Sequence, residues 1–418
     1  MKHACLLLSF LLCVSTIIVP ISAQSITGSK GLADTELVLL RNEHYLYLQA
    51  QQDVASFSVE FAFPPLYQYQ VPVYLELFND STEKLVSYHI ENDTDSLNKK
   101  IVFIIEELES DEQILLHFTC WVLVENHDYS DLPETVTFPT LEDIPVEIRQ
   151  WLSESEMVQT NNLLLKMKAH QLRGCSSNMI TYAKKVASFI KQHRYLLFVL
   201  QLNTGLFLSQ DALTTLFISG ENVGRSHLAC ALLRINNVPS RVLLAHNDQG
   251  FWTQMHYMVE YYVPDYGWVL LDSTKGETPY ATKRQIINRV CYPSDEDDTK
   301  HDYILPLMSG EERWLWIDAE DVQPYYLDCD QGSKSQMFTE GSIVTSCQIA
   351  QKARNITKET YQYYQQYLGM PLQGENQTFF DNAITLQQLA LEAFQEHNIN
   401  EYQLYLEFAI YCYSQITT

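Results

Sequence analysis

The chain has 418 residues, 46% of them hydrophobic, with 52 acidic against 27 basic side chains and a formal net charge of −25. That length and apolar content support about two or three domains with real cores and exclude a disordered chain. The acidic balance excludes a nucleic-acid backbone as the main partner, because such proteins concentrate positive charge.

Residues 1–23 carry a lysine at position 2, an apolar stretch and a small-residue end at Ser22 and Ala23. This is the pattern of a secretory signal peptide cleaved after Ala23. No other run is long and apolar enough to span a bilayer. The expectation is therefore a secreted, cell-surface or periplasmic protein with no transmembrane span in the mature chain. Of nine cysteines, Cys5 and Cys13 leave with the signal; the remaining seven cannot all pair within one chain.

Residues 24–140 read as a β-sandwich domain. "ASFSVEFAF", "VPVYLELF", "KKIVFIIEEL" and "QILLHFTCWVLVEN" are rich in β-branched and aromatic residues, several alternate with period two, and turn clusters such as "NDSTE" separate them. A linker marked by Pro133, Pro139 and Pro145 follows. From 149 to 300 the period changes. Ile180, Ala183, Val186 and Ile190 fall on one side of a helix, a further helix starts near Asn222, and "VPSRVLLAH" and "MHYMVEYYVPDYGWVLLDS" read as strands. Helices followed by strands predict an α+β core. Residues 301–350 hold strand-like pieces that the sequence does not place, read as a β-rich extension. Residues 351–418 form a small C-terminal helical region whose first helix stops at Gly369 and Pro371.

Within the core, three pieces occur in an order that suits nucleophilic chemistry: a helix start at "SGENVGRSHLACALLR", then His256, then Asp272. A thiol at a helix N-terminus has its thiolate stabilised by unpaired N–H groups and the helix dipole. A histidine on an adjoining strand accepts the proton, and a carboxylate fixes its tautomer. His256 and Glu260 do not suggest a metal: four residues apart on a strand they lie ~13 Å apart, too far to share one ion. No cofactor motif or phosphate loop is present, so no cofactor and no metal are expected.

These segments resemble the transglutaminase-like superfamily, which has a papain-type fold. The resemblance rests on Gly220, Gly224, Ser226, "ALLR" at 231–234, "NVPSR" at 237–241, His256, Glu260, "DYGW" at 265–268 and Asp272. It covers about residues 149–276. It implies His256 and Asp272 as the family's dyad positions, and it places the family's nucleophilic cysteine at Asn222. An asparagine amide is not a useful nucleophile, but it is a favoured N-cap. The expectation is a pseudoenzyme: a core that keeps the helix start without thiol catalysis and acts as an extracellular binding or structural module for a protein or peptide ligand. The alternative is an active acyltransferase or peptidase on external protein or cell-wall peptides, with Cys175 or Ser226 as a non-standard nucleophile. Cys230, between Ala229 and Ala231, reads as core. The family's Ala-Trp after the histidine is replaced by Tyr257 and Met258. An ideal hairpin turning at "PDYG" would set Asp272 opposite Val259, so a bulge or an offset is expected to bring it to His256.

Overall fold

The computed structural model describes residues 35–93, 97–193, 209–218, 220–247, 255–296, 307–308, 314–329 and 340–417. The signal-peptide pattern of residues 1–23 lies outside them.

Among the described residues, three antiparallel four-stranded sheets carry the fold. The first has the order β12 (Trp314–Asp328), β1 (Glu36–Ala50), β6 (Gln113–Val124) and β3 (Gln70–Leu77). The second has the order β11 (Leu307–Met308), β2 (Phe57–Phe63), β5 (Lys99–Ile105) and β4 (Leu85–Asn92). These two face each other as a sandwich. In β2 the alternation sends Phe57, Val59, Phe61 and Phe63 inward. Phe118 of β6 meets Phe61 and Phe103 at centroid distances of 5.2 and 5.1 Å.

β6 does not alternate, because its sheet is covered on both faces. One face joins the sandwich core. The other supplies Val38, Leu40, Val122 and Val124 to a small cluster with Ile286, which lies on β10 (Gln285–Val290). That strand belongs to the third sheet, of order β10, β7 (Ser240–Asn247), β8 (Met255–Val263) and β9 (Gly267–Leu271). Two side-chain amides of the sandwich complete the edge of β10. Gln70 donates to Ile287 O at 2.7 Å and accepts from Ile287 N at 2.8 Å. Asn98 does the same with Val290 O and Val290 N, both at 2.8 Å. An edge strand is thus paired without a further strand, and a buried Arg289–Asp93 ion pair closes the same junction.

The third sheet is packed by α1 (Leu163–Arg173), α2 (Met179–Lys191), α3 (Ala212–Phe217) and α4 (Asn222–Ile235). Ile180, Ala183, Val186 and Ile190 are the buried stripe of α2, as their spacing requires. α4 is buried on every side from Val223 to Arg234.

The pieces after residue 300 that the sequence left unplaced complete the sandwich. β11 pairs with β2, and β12 runs antiparallel to β1 from Glu36↔Asp328 to Ala50↔Trp314. The first C-terminal helix begins at Glu340, earlier than the expected 351. It is α5 (Glu340–Tyr367), followed by α6 (Glu375–Gln395) and α7 (Ile399–Ser414). These helices pack on the sandwich: their core residues share a cluster with β1–β6, and Gln387 donates to Val73 O at 3.0 Å. The tyrosine-rich end has a local use here. Tyr361, Tyr364, Tyr402 and Tyr413 are fully buried, Tyr402 shares a hydrogen bond with Thr357 at 2.6 Å, and Tyr413 donates to Gln387 at 2.5 Å.

Candidate functional site

The site is built where the start of α4 meets β8 and the end of β9. The glycines of "SGENVG" allow α3 to come close. A Cβ at position 220 would sit 2.5 Å from Thr215 Oγ1, and one at 224 would sit 2.6 Å from the same atom. Asn222 is half-buried and is the first helical residue, with Glu221 at the N-cap position. The expected N-cap role for Asn222 is therefore displaced by one residue.

His256 and Asp272 are brought together. His256 Nε2 lies 3.1 Å from Asp272 Oδ2; the imidazole is almost buried and the carboxylate fully so. Of the two expected devices, a bulge and an offset, the structure uses the offset. β8 and β9 pair without a shift from Val263↔Gly267 to Val259↔Leu271. Continuing that register by one residue sets Asp272 across from Met258, the same-face neighbour of His256. The two side chains then meet on the diagonal, a distance that long side chains span. Past the strand, Asp272 Oδ1 accepts from the Thr274 and Lys275 amides at 2.9 and 2.8 Å, so both carboxylate oxygens are held. Burial pushes the Asp272 carboxyl up, but the His256 hydrogen bond and charge, with the Lys275 amide, outweigh it and hold it below its ordinary value.

Ser226 ties the three elements together. Its Oγ lies 3.0 Å from Asn222 O, 3.2 Å from Tyr257 O and 3.2 Å from Ser273 Oγ. The first turn of α4, the residue after His256 and the residue after Asp272 thus converge on one fully buried hydroxyl. Its bonds to its own helix and to β8 make Ser226 a packing residue. Cys230 is also fully buried, and burial pushes its thiol up to about 12. Cys175 lies in the turn between α1 and α2 and is exposed. His227, next to Ser226, is buried; its Nδ1 lies 2.8 Å from Gln210 O, and burial holds its imidazole below the ordinary range.

The other motif residues are architecture. Arg241 and Glu260 face each other across β7 and β8 and form a buried ion pair at 2.8 Å. Tyr67 of the sandwich donates to Glu260 at 2.5 Å, and the Arg241 guanidinium lies 3.7 Å from the Trp268 ring centroid. Arg234 pairs with Glu296, both side chains completely buried, and donates to Ser153 O and Ser240 O. Glu260 is therefore committed to Arg241, and among the described residues no group of three or more His, Cys, Asp or Glu side chains is placed to hold a metal ion.

A cavity of about 410 Å³ opens beside His256, lined also by Lys275, Tyr280, Lys283, Arg284 and Gln285. The sequence reading missed these residues. They carry no periodic signal, and only the turn after Asp272 brings them round to the histidine.

Residues 166–273 match the family model described as the transglutaminase-like superfamily. No curated protein matches the chain. Among solved structures, the chain is similar to a "Putative Cysteine Protease" from Cytophaga hutchinsonii, with 15% identity, a TM-score of 0.51, and coverage of 72% of this chain and 93% of that one. It is matched at 14% identity to the periplasmic domain of TgpA from Pseudomonas aeruginosa, over 54% of this chain and 91% of that one, with a TM-score of 0.26. No helix among the described residues is long and apolar enough to cross a membrane. The helix-then-strand order, the motif spacing and this match agree that residues 166–273 form a transglutaminase-like domain.

Proposed function

We propose that this is an exported protein whose transglutaminase-like core binds a protein or peptide ligand at the cell exterior without forming an acyl-enzyme. The observation that carries this reading is the side chain at the first turn of α4. The order and spacing of the sequence motifs read the family's thiol position at Asn222, the first residue of α4, while His256 and Asp272 stay paired at 3.1 Å. An amide has no lone pair comparable to a thiolate's, so the histidine has no proton to accept from it. The buried states of Ser226 and Cys230 speak against either as a substitute. Export rests on the sequence pattern of residues 1–23. The pair then serves to hold β8 to the end of β9 and to present an imidazole edge to a bound ligand.

The test compares the mature protein with its Asn222→Cys variant for amine incorporation into a glutamine donor and for hydrolysis of a peptide pool. A silent wild type and an active variant are expected. Turnover by the wild type would overturn the reading and direct the search to Cys175. Silence of both would mean that the pocket, and not the nucleophile alone, has diverged.

A further inference from the structure

β3 and β4 are edge strands of the two sandwich sheets. Where α5 and α6 cover that side, a cavity of about 350 Å³ remains, within the range of ~300–1,000 Å³ that small-molecule sites occupy. Its lining includes Tyr74 of β3, Tyr88 of β4, Tyr364 of α5, and Phe380 and Asp381 of α6, none of them in the core that carries His256. Aromatic side chains at such a junction are ordinarily packing, but three observations here ask for more. The Tyr74 and Tyr364 rings lie 5.8 Å apart and are inclined at 62°. A flat ligand stacks on one ring face, whereas a compact cation can lie in the corner between two. Tyr364 is only 1% exposed, yet its hydroxyl has no hydrogen-bond partner among the described residues; the Leu75 backbone lies beside it without completing a bond. A buried hydroxyl left so is costly and calls for a partner. Asp381 is exposed, and its carboxylate accepts from the neutral amide of Gln377 at 2.8 Å but has no ion pair among the described residues. Burial pushes the three phenols up, and Tyr88 adds to this at Tyr74 and Tyr364. The three hydroxyls are thus near one another and stay neutral, so the carboxylate carries the charge of this lining.

We propose that this cavity binds an alkylammonium group, with Asp381 pairing with its charge, the aromatic side chains covering its methylenes and the Tyr364 hydroxyl accepting one of its N–H donors. The site is separate from the core around His256 and does not depend on how that core is read. Each part of the ligand answers one observation. The positive charge meets a carboxylate that lacks a cation, and it is attracted by the ring quadrupoles as well. The N–H group supplies the buried hydroxyl with the partner it lacks. The apolar stem suits an aromatic lining, as the stem of a lysine does elsewhere. Two sources offer this chemistry, a lysine side chain of a bound peptide and a free amine.

The experiment titrates the mature protein by saturation-transfer difference NMR with two cations, Nα-acetyl-lysine N-methylamide and n-butylammonium. Their neutral counterparts, Nα-acetyl-norleucine N-methylamide and n-butanol, are titrated beside them. At least one cation is expected to bind about tenfold tighter than its neutral counterpart, the yield of one exposed ion pair together with a cation–π contact. The lysine compound binding tighter would identify a peptide side chain as the source, and butylammonium binding tighter a free amine. The advantage should shrink as salt is raised. It should vanish in Asp381→Asn and fall about threefold or more in Tyr364→Phe, which keeps the ring and removes the acceptor. Glu392→Gln, which removes another exposed carboxylate of α6, should leave it unchanged, so that attraction to an acidic surface at large is separated from binding at this cavity. Thermal melts establish that the variants are folded. Equal binding of cations and neutral counterparts, binding of none, or an advantage that survives Asp381→Asn would each overturn the proposal.

Discussion

Replacing Glu296 by glutamine isolates the ion pair that fixes the far end of the site helix. Arg234 Nη1 lies 3.1 Å from Glu296 Oε2, and neither side chain has any solvent exposure. At that distance, with an effective dielectric constant of about 20, the attraction is ~5 kcal/mol. The variant keeps the shape and an acceptor oxygen but removes the negative charge. Arg234 retains Ser240 O at 2.7 Å and Ser153 O at 2.8 Å, so its donors stay satisfied while its charge stays buried. The expected loss is therefore about 3–5 kcal/mol, the range for breaking one side of a buried pair. Urea unfolding followed by tryptophan fluorescence measures it. Glu112→Gln is the contrast: Lys84 and Glu112 are 33% and 30% exposed, and that change should have little effect, because solvent screens the pair. A loss below ~1 kcal/mol for Glu296→Gln would refute the argument that the "ALLR" arginine is structural.

Three further outcomes are expected. Gly224→Ala should destabilise by about 1–3 kcal/mol through overpacking, because its Cβ would lie 2.6 Å from Thr215 Oγ1 and 2.7 Å from Gln210 Oε1; a raised melting temperature, as helix propensity alone would give, would contradict this. The Asp272 carboxyl is held below its ordinary value, so its stabilisation is complete above the unfolded pKa of ~3.9 and is lost as pH falls through the folded value. The wild-type advantage over Asp272→Asn in thermal melts should accordingly be constant above pH ~4 and shrink progressively only as pH falls below it, and parallel curves would argue against the pairing. Native protein treated with a maleimide should be labelled at exposed Cys175, whereas Cys230, whose thiol is pushed up to about 12, should react only after unfolding; mass spectrometry of digests separates the two.

The core was legible because its signals are local. The stripe of α2, the order of Gly220, His256, Glu260 and Asp272, and the "DYGW" turn can each be read from neighbours in sequence. Two readings missed by one residue, and both are questions of register. Asn222 is the first helical residue behind Glu221, and Asp272 lies diagonal to His256 without a bulge. Periodicity fixes which face a residue occupies more firmly than it fixes the residue at which an element starts. The segment after residue 300 was illegible for a different reason. Its long strand has its partner at the other end of the chain, and no local pattern reports a pairing of that range. The cavity beside His256 was missed likewise, since Lys275, Tyr280 and Gln285 share no local pattern until the fold sets them beside the histidine.

The pairing of β1 with β12 has a consequence for how the protein is made. The transglutaminase-like segment is an insertion between two parts of one sandwich, so the longest strand near the start must wait for its partner until nearly the whole polypeptide has emerged. During that interval β1 offers fifteen residues of unpaired backbone along one edge, a template for the wrong neighbour. A chain stopped before Trp314 would leave that edge open for good.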